Sequence, residues 1–419
     1  MSNRSNRSMS AGIVKVLVAF SVLFASALPA LADQPSPLLG KGRPVQWWFV
    51  FKLNSAVFPG CSGTAQRSCP FGGSVQSATK YKFGQQYVYA SSDKATLSAG
   101  TDCAGDSTDD PIGATFGEIY SGSYYYVVWN DQFYDHPVIQ GCTTECGSPW
   151  GHSKGILAWD EQGDGFIMQV STPSWPGSGS SKHPREDDGN SLGCVEDDDV
   201  KVSQHFFALK LNHADVVEVL NGLVNASIVT DPNNKQLVNN GGPNDITTLV
   251  ATLGKRSSSD TVQVSKLSSG VTLISKSSGE HIPPWQLVSH ELDDVSIRAA
   301  TWWTKPAIPS TTQSTDIGCW PSSWHKPGAV QIATGGTWSG TAFSLEGGPG
   351  GDRNHAKIGV STSGTHPYVI FGDMNQQGAL SGEKCGSSQN GRGGLFFVLS
   401  DSDLHSAVTD LIAGDSAPE

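Results

Sequence analysis

Charge is scarce in this chain, and positive charge is scarcest. Only 16% of residues are Asp, Glu, Lys or Arg, and 27 basic residues face 39 acidic ones. A net charge of −12 and a pI near 5.3 argue against a protein that grips polyanions through a basic surface at neutral pH. No apolar run after the first 32 residues is long enough to span a bilayer. No second Cys or His pair accompanies Cys142 and Cys146, so a metal knuckle is the weaker reading of the eight cysteines. Structural disulfides of an oxidising compartment are the better one, with the pairing left open. The 48 Gly and 23 Pro rule against a helical bundle. What is left is an α+β chain of 419 residues, enough for one large domain or two ordinary ones.

Residues 1–32 read as an export signal. Arg4, Arg7 and Lys15 precede an apolar run that ends at Ala30 and Ala32, and no cysteine follows to accept a lipid. The protein is therefore expected outside the cytoplasm: secreted or periplasmic, or in an acidic organelle of a eukaryote. Asn225-Ala-Ser227 is a glycosylation sequon, meaningful only in a eukaryotic host. Further along, "PVQWWFVFKL" and "YYYVVWND" predict buried strands. "HSKGILAWD" and "GFIMQVST" predict a hairpin turned at "EQGDG". "REDDG" and "EDDD" read as solvated charge in a Pro/Gly/Ser loop. Residues 225–300 carry the weakest pattern, with "GVTLISKS" the clearest strand.

An internal repeat organises the rest. "CVEDDDVKVSQHFFALKLNHADVVEVLNGLV" and "CGSSQNGRGGLFFVLSDSDLHSAVTDLIA" share a Cys, a polar stretch, an FFxL strand and an amphipathic helix. Asn212 is a candidate N-cap with Asp215 three residues on, and Val216, Leu220 and Leu223 share a helix face. Leu404, Val408, Leu411 and Ile412 do the same in the second unit. Each unit follows a His-x-Lys: His152 and Lys154, then His355 and Lys357. The motifs lie about 200 residues apart and the strand–helix units about 190 apart. Chance supplies about half a His-x-Lys copy in such a composition, so two in phase with a repeat carry weight. We expect two halves, 33–225 and 226–419, forming one catalytic domain.

In an extended segment, residues i and i+2 point the same way about 6–7 Å apart. If a pseudo-twofold axis relates the halves, two imidazoles and two ammonium groups meet. Such a set suits a phosphodiester. One histidine attacks phosphorus, the other protonates the leaving oxygen and then activates water, and the lysines hold the non-bridging oxygens. No metal or cofactor is needed for that scheme.

These segments resemble the deoxyribonuclease II family of the phospholipase D-like superfamily. "GHSKGILAWDEQGDGFI" is similar to its first active-site segment and "NHAKIGVS" to its second, and "WWFVFKL", "VVWNDQ" and "FGDMN" match in order. The resemblance implies a phospholipase D-like fold of two pseudo-symmetric halves, each a mixed sheet flanked by helices. It also implies an acid endonuclease that cuts double-stranded DNA without a divalent metal, leaving 3′-phosphate and 5′-hydroxyl ends, and a homodimer around the duplex. It carries catalytic roles to His152, Lys154, His355 and Lys357, with His152 favoured as nucleophile by analogy. It makes Asn375 a phosphate contact, and Asn130 is a candidate at the site's edge. Val170 stands where eukaryotic members tend to carry a third histidine, and the family's cysteine ahead of the first strand is missing.

The acidic balance fits that reading, because mild acid neutralises carboxylates and charges histidines. Two rivals remain: a phospholipase D-like enzyme acting on lipid head groups, and a secreted binding protein with no chemistry.

Overall fold

The computed structural model describes residues 1, 34–57, 86–101, 104, 105, 107–121, 124–132, 146–173, 179, 180, 183, 184, 201–235 and 237–419. The expected export signal beyond its first residue, the acidic loop segments, and Cys61, Cys69, Cys103, Cys142 and Cys194 lie outside these residues. Gln34–Glu419 forms one compact unit.

In chain order the first strands are β1 (Trp47–Lys52), β2 (Tyr87–Ser91), β3 (Lys94–Ala99), β4 (Tyr125–Asn130), β5 (Lys154–Trp159) and β6 (Gly165–Val170). The two-residue strands β7 (Gly179–Ser180) and β8 (His183–Pro184) pair with each other, and β9 (Gln204–Leu211) and β10 (Val238–Asn239) follow. Then come β11 (Val262–Lys266), β12 (Thr272–Lys276), β13 (Ile297–Ala300), β14 (Val330–Ile332), β15 (Gly335–Trp338), β16 (Thr341–Ser344), β17 (Ile358–Ser361), β18 (Tyr368–Gly372) and β19 (Gly394–Ser400). The described helices are α1 (Pro111–Ser121), α2 (His213–Asn225), α3 (Asn244–Val250), α4 (Pro284–Glu291) and α5 (Ser402–Leu411).

Two large sheets result, ordered β10-β4-β5-β6-β9-β1-β2-β3 and β11-β12-β19-β18-β17-β13-β14. Within them one pattern occurs twice. The run β1-α1-β4-β5-β6-β9-α2 has its counterpart in β12-α4-β13-β17-β18-β19-α5. In each sheet the five matching strands are neighbours and pair antiparallel. Register agrees as well: Lys52 faces Gln204 and Lys276 faces Gly394, each two residues ahead of a Phe-Phe pair. The fold is α+β in two related halves.

β1, β5 and β6 are buried along their whole length, which explains their near-continuous apolar runs. The β5–β6 hairpin turns at the expected "EQGDG". Asp160 accepts from Gln162 N–H and Asp164 N–H, while Gly163 takes φ +89°, which an L side chain rarely adopts. α2 opens with a reciprocal cap: Asn212 accepts from Asp215 N–H at 2.9 Å, and Asp215 accepts from Asn212 N–H at 3.3 Å. Asp401 caps α5 through Asp403 N–H and Leu404 N–H. The apolar faces of both helices are buried. Each helix packs on both halves, α2 reaching β12 and α5 reaching β3. Phe207 of the first sheet stacks on Phe371 of the second with ring centroids 4.2 Å apart, flanked by Phe49 and Phe397. One core therefore joins the halves.

Cys319 pairs with Cys385, their Cα atoms 5.4 Å apart, and Cys146 is disulfide-bonded too. The sequon residue Asn225 is buried, and its amide donates to Thr261 O and Ser275 O. In the folded chain that nitrogen is not exposed to a glycosylating enzyme.

Candidate active site

The two His-x-Lys segments enter strands in equivalent places. Lys154 is the first residue of β5, and Lys357 immediately precedes β17. Each histidine is anchored on the opposite half. His152 N–H donates to Gly393 O and His355 N–H donates to Ser203 O, both at 2.8 Å. Gly393 and Ser203 are themselves equivalent, each three residues before its Phe-Phe pair. The approach is close: a Cβ on Gly393 would sit 2.2 Å from Ala226 O, and one on Gly151 would sit 2.5 Å from the same oxygen. Larger residues at either glycine would push the ribbons apart.

The side chains of the two motifs have different partners. His152 Nδ1 lies 2.7 Å from Asp373 O, an acceptor only, so Nδ1 carries the proton and Nε2 keeps its lone pair. Lys154 Nζ donates to Asp131 Oδ1 at 2.5 Å. Arg392 donates to Asp131 Oδ2 at 2.7 Å and to the carbonyls of Cys146, Trp150 and Gly151. Both cations and the carboxylate are almost fully buried. In the second half Trp302 occupies the position equivalent to Asp131 and meets the His355 ring edge-on at 4.7 Å. Lys357 Nζ donates to His355 O at 2.7 Å. His355 Nδ1 is buried with no hydrogen-bond partner.

Burial is the main reason both imidazoles protonate well below the usual histidine range. Lys154, Arg392 and Lys357 push His152 further down, while Lys357, Lys154, His152 and His205 do so for His355. Each imidazole thus feels both motif lysines. Asp373 is pushed up to about 7, mainly by burial, against the hydrogen bonds it accepts from Leu395 N–H and Gln169.

The two asparagines differ in position and use. Asn130 is buried at the end of β4, where its amide donates to Thr172 O and accepts from Gln132 N–H, so it ties backbone together. Asn375 follows Asp373 by two residues. Its amide donates to Gln377, and its buried Oδ1 has no partner. Among the described residues no three His, Cys, Asp or Glu side chains converge as a metal ligand set.

Sequence reasoning passed over several residues here. His205 on β9 is fully buried, and its Nδ1 accepts Lys357 N–H at 3.1 Å. Setting the two Phe-Phe strands in phase places it against Leu395, and that break in apolar pattern was the available signal. The pairings made by Asp131, Trp302, Asp373 and Arg392 offered none, because the partners are remote in sequence.

Comparison with known proteins identifies the family. The deoxyribonuclease II family model matches residues 36–415. Deoxyribonuclease-2-alpha of Rattus norvegicus is 29% identical over 164 residues, covering 38% of this chain and 40% of the rat protein. Cell-death-related nuclease 7 of Caenorhabditis elegans is 23% identical over 344 residues, covering 80% of this chain and 78% of the worm protein. With the family model spanning nearly the whole chain, this protein belongs to the deoxyribonuclease II family.

Proposed function

We propose that this member of a DNA-degrading nuclease family hydrolyses DNA phosphodiester bonds through a phosphohistidine on His152, with His355 as acid and then base. The observation that supports the reading is the reciprocal anchoring of the two histidine segments, each held through its backbone N–H by a carbonyl of the opposite half.

In the first step His152 Nε2 bonds to phosphorus and the P–O5′ bond breaks. The proton on His355 goes to O5′, leaving a 5′-hydroxyl. In the second, water attacks phosphorus, its proton passes to His355, and the P–N bond breaks to leave a 3′-phosphate. The Asp373 carbonyl favours His152 as nucleophile, because it holds Nδ1–H and so aims a lone pair from Nε2. Lys154 and Lys357 serve the non-bridging oxygens, a role in which other phosphoryl-transfer enzymes use a cation clamp. His355 must begin protonated, and burial lowers its affinity for a proton, so activity belongs in acid. Export through residues 1–32, to the medium, the periplasm or an acidic organelle, fits an enzyme working in such a place. The substrate on this reading is double-stranded DNA, gripped through its backbone with little regard for sequence. The enzyme on this reading is a homodimer, which sedimentation tests.

The test is nicking of supercoiled plasmid at pH 5 in EDTA, with acid-labile phosphate trapped on the protein. Wild type nicks and traps, and His152→Ala does neither. Cutting only at neutral pH with added Mg²⁺, or full activity in His152→Ala or His355→Ala, overturns the proposal.

A further inference from the structure

Two lysines outside the motif pair lie deep in the core, and the repeat relates them. Lys52 ends β1 and Lys276 ends β12, and both are fully buried. A buried ammonium is costly unless its donors are matched, and here carbonyl oxygens match them. Lys276 Nζ donates to Ser277 O at 3.1 Å, Asn390 O at 2.7 Å and Arg392 O at 2.9 Å. Lys52 Nζ donates to Leu53 O at 3.5 Å and Val202 O at 2.5 Å. The acceptors correspond as the lysines do. Leu53 and Ser277 each follow the lysine, and Val202 and Arg392 each stand four residues before a Phe-Phe pair.

The next carbonyl along each ribbon is the one that holds a histidine. Val202 leads to Ser203, whose oxygen accepts His355 N–H, and Arg392 leads to Gly393, whose oxygen accepts His152 N–H. Arg392 also fastens the two residues that lead into that contact, Trp150 and Gly151. We infer that Lys52 and Lys276 are positioning residues that act crosswise, Lys52 setting His355 and Lys276 setting His152. Burial lowers the Lys276 ammonium to about 7, so its grip is firmest in acid. The inference rests on the proposed roles of the two histidines, but its structural part can be read without turnover.

The experiment is NMR of isotope-labelled histidine rings through a pH titration, in wild type, Lys276→Met and Lys52→Met, beside steady-state plasmid nicking. The ring signals are assigned by their loss in His152→Ala and His355→Ala. Lys276→Met should alter the His152 ring's shifts and titration and leave His355 near wild type, and Lys52→Met should do the reverse. In each, kcat should fall about 10- to 100-fold with KM kept, the usual result of an ångström-scale misplacement. Should a methionine variant not fold, the glutamine variant is read in its place, since its shorter amide still donates. Unchanged rings, both rings disturbed alike, or a disturbance confined to the histidine of the lysine's own half would overturn the inference. A crosswise ring pattern in a protein that cuts no DNA upholds the positioning and rejects the proposed function.

Discussion

The halves share strand order, register, helix caps and a buried lysine, yet they surround their motifs with different chemistry. In the first, Lys154 faces a buried carboxylate that also binds Arg392, and His152 has one ring nitrogen fixed by a carbonyl. In the second, the place of Asp131 is taken by Trp302, the histidine rests edge-on against that ring, and a third histidine sits behind Lys357. Duplication supplies two identical reagents, whereas a displacement that splits one bond in two steps needs an attacker and a proton donor. The difference between the surroundings divides the labour. A fixed tautomer suits attack, and an imidazole less tightly held is easier to cycle between protonation states.

The sharpest break of that comparison uses the leaving group. His152→Ala and His355→Ala should each lower plasmid nicking at pH 5 by roughly 10³- to 10⁴-fold. A nitrophenyl phosphodiester needs no protonation of its leaving oxygen. It should restore most of the first step to His355→Ala, seen as a burst of nitrophenolate, and none to His152→Ala. Rescue of the His152 variant instead would exchange the roles.

Next in size is the contrast between equivalent positions. Asp131→Asn leaves Lys154 and Arg392 buried without their counter-charge, and removing one member of a buried pair costs about 3–5 kcal/mol. Trp302→Leu at the matching site removes an edge-on ring contact and some packing, worth about 1 kcal/mol. Denaturant unfolding of the two variants should separate them clearly. Equal losses would mean that the ion cluster in the first half does not set the difference.

This contrast also marks what the sequence could reveal. The motifs, the β5–β6 hairpin, the Asn212 cap and the Phe-Phe strands were legible because each is a local pattern, and the repeat let each copy support the other. The equivalence of β1 and β12 was not. "WWFVFK" is buried throughout, while "TLISK" carries Ser275, whose hydroxyl donates to Gly222 O of α2, so the two apolar patterns look unrelated. Trp285 on α4, fully buried against Phe396 and donating to Met374 O, lay in the stretch with the weakest pattern. Asp131 and Arg392 meet across 261 residues, and no local rule could pair them. Asn130 shows a related ambiguity: its amide bonds Thr172 O and Gln132 N–H, and a polar residue at a strand end can serve the backbone and border a site alike.

A smaller effect concerns pH. After burial, Lys357 is the strongest influence holding His355 below its usual range. Replacing that cation with a neutral side chain lets His355 keep its proton to higher pH. In Lys357→Gln the alkaline limb of the kcat profile should therefore move toward neutrality, even as the rate falls because one cation no longer meets the phosphate. Arg392→Gln, whose charge weighs on His152 but is not among the influences on His355, should leave that limb in place. Movement of the limb in Arg392→Gln but not in Lys357→Gln would assign the titrating acid to the first half.

The smallest effect makes the halves alike at one position. His205→Leu installs the residue that stands at the matching place, Leu395. His205 protonates well below the usual range, first through burial and then through Lys357. The unfolded chain therefore takes up this proton near pH 6.5 while the folded chain does not. The stability tied to His205 is complete above that pH and drains away as pH falls below it. The leucine variant loses this dependence, but it strands Lys357 N–H without its acceptor, a cost of about 1–3 kcal/mol. It should be the less stable protein at pH 7.5, with the gap narrowing at pH 5, as urea unfolding at the two values can measure. A gap that stays constant would mean that His205 is charged, or solvated, in the folded protein, and the surroundings of the second motif would lose one of the features that set them apart.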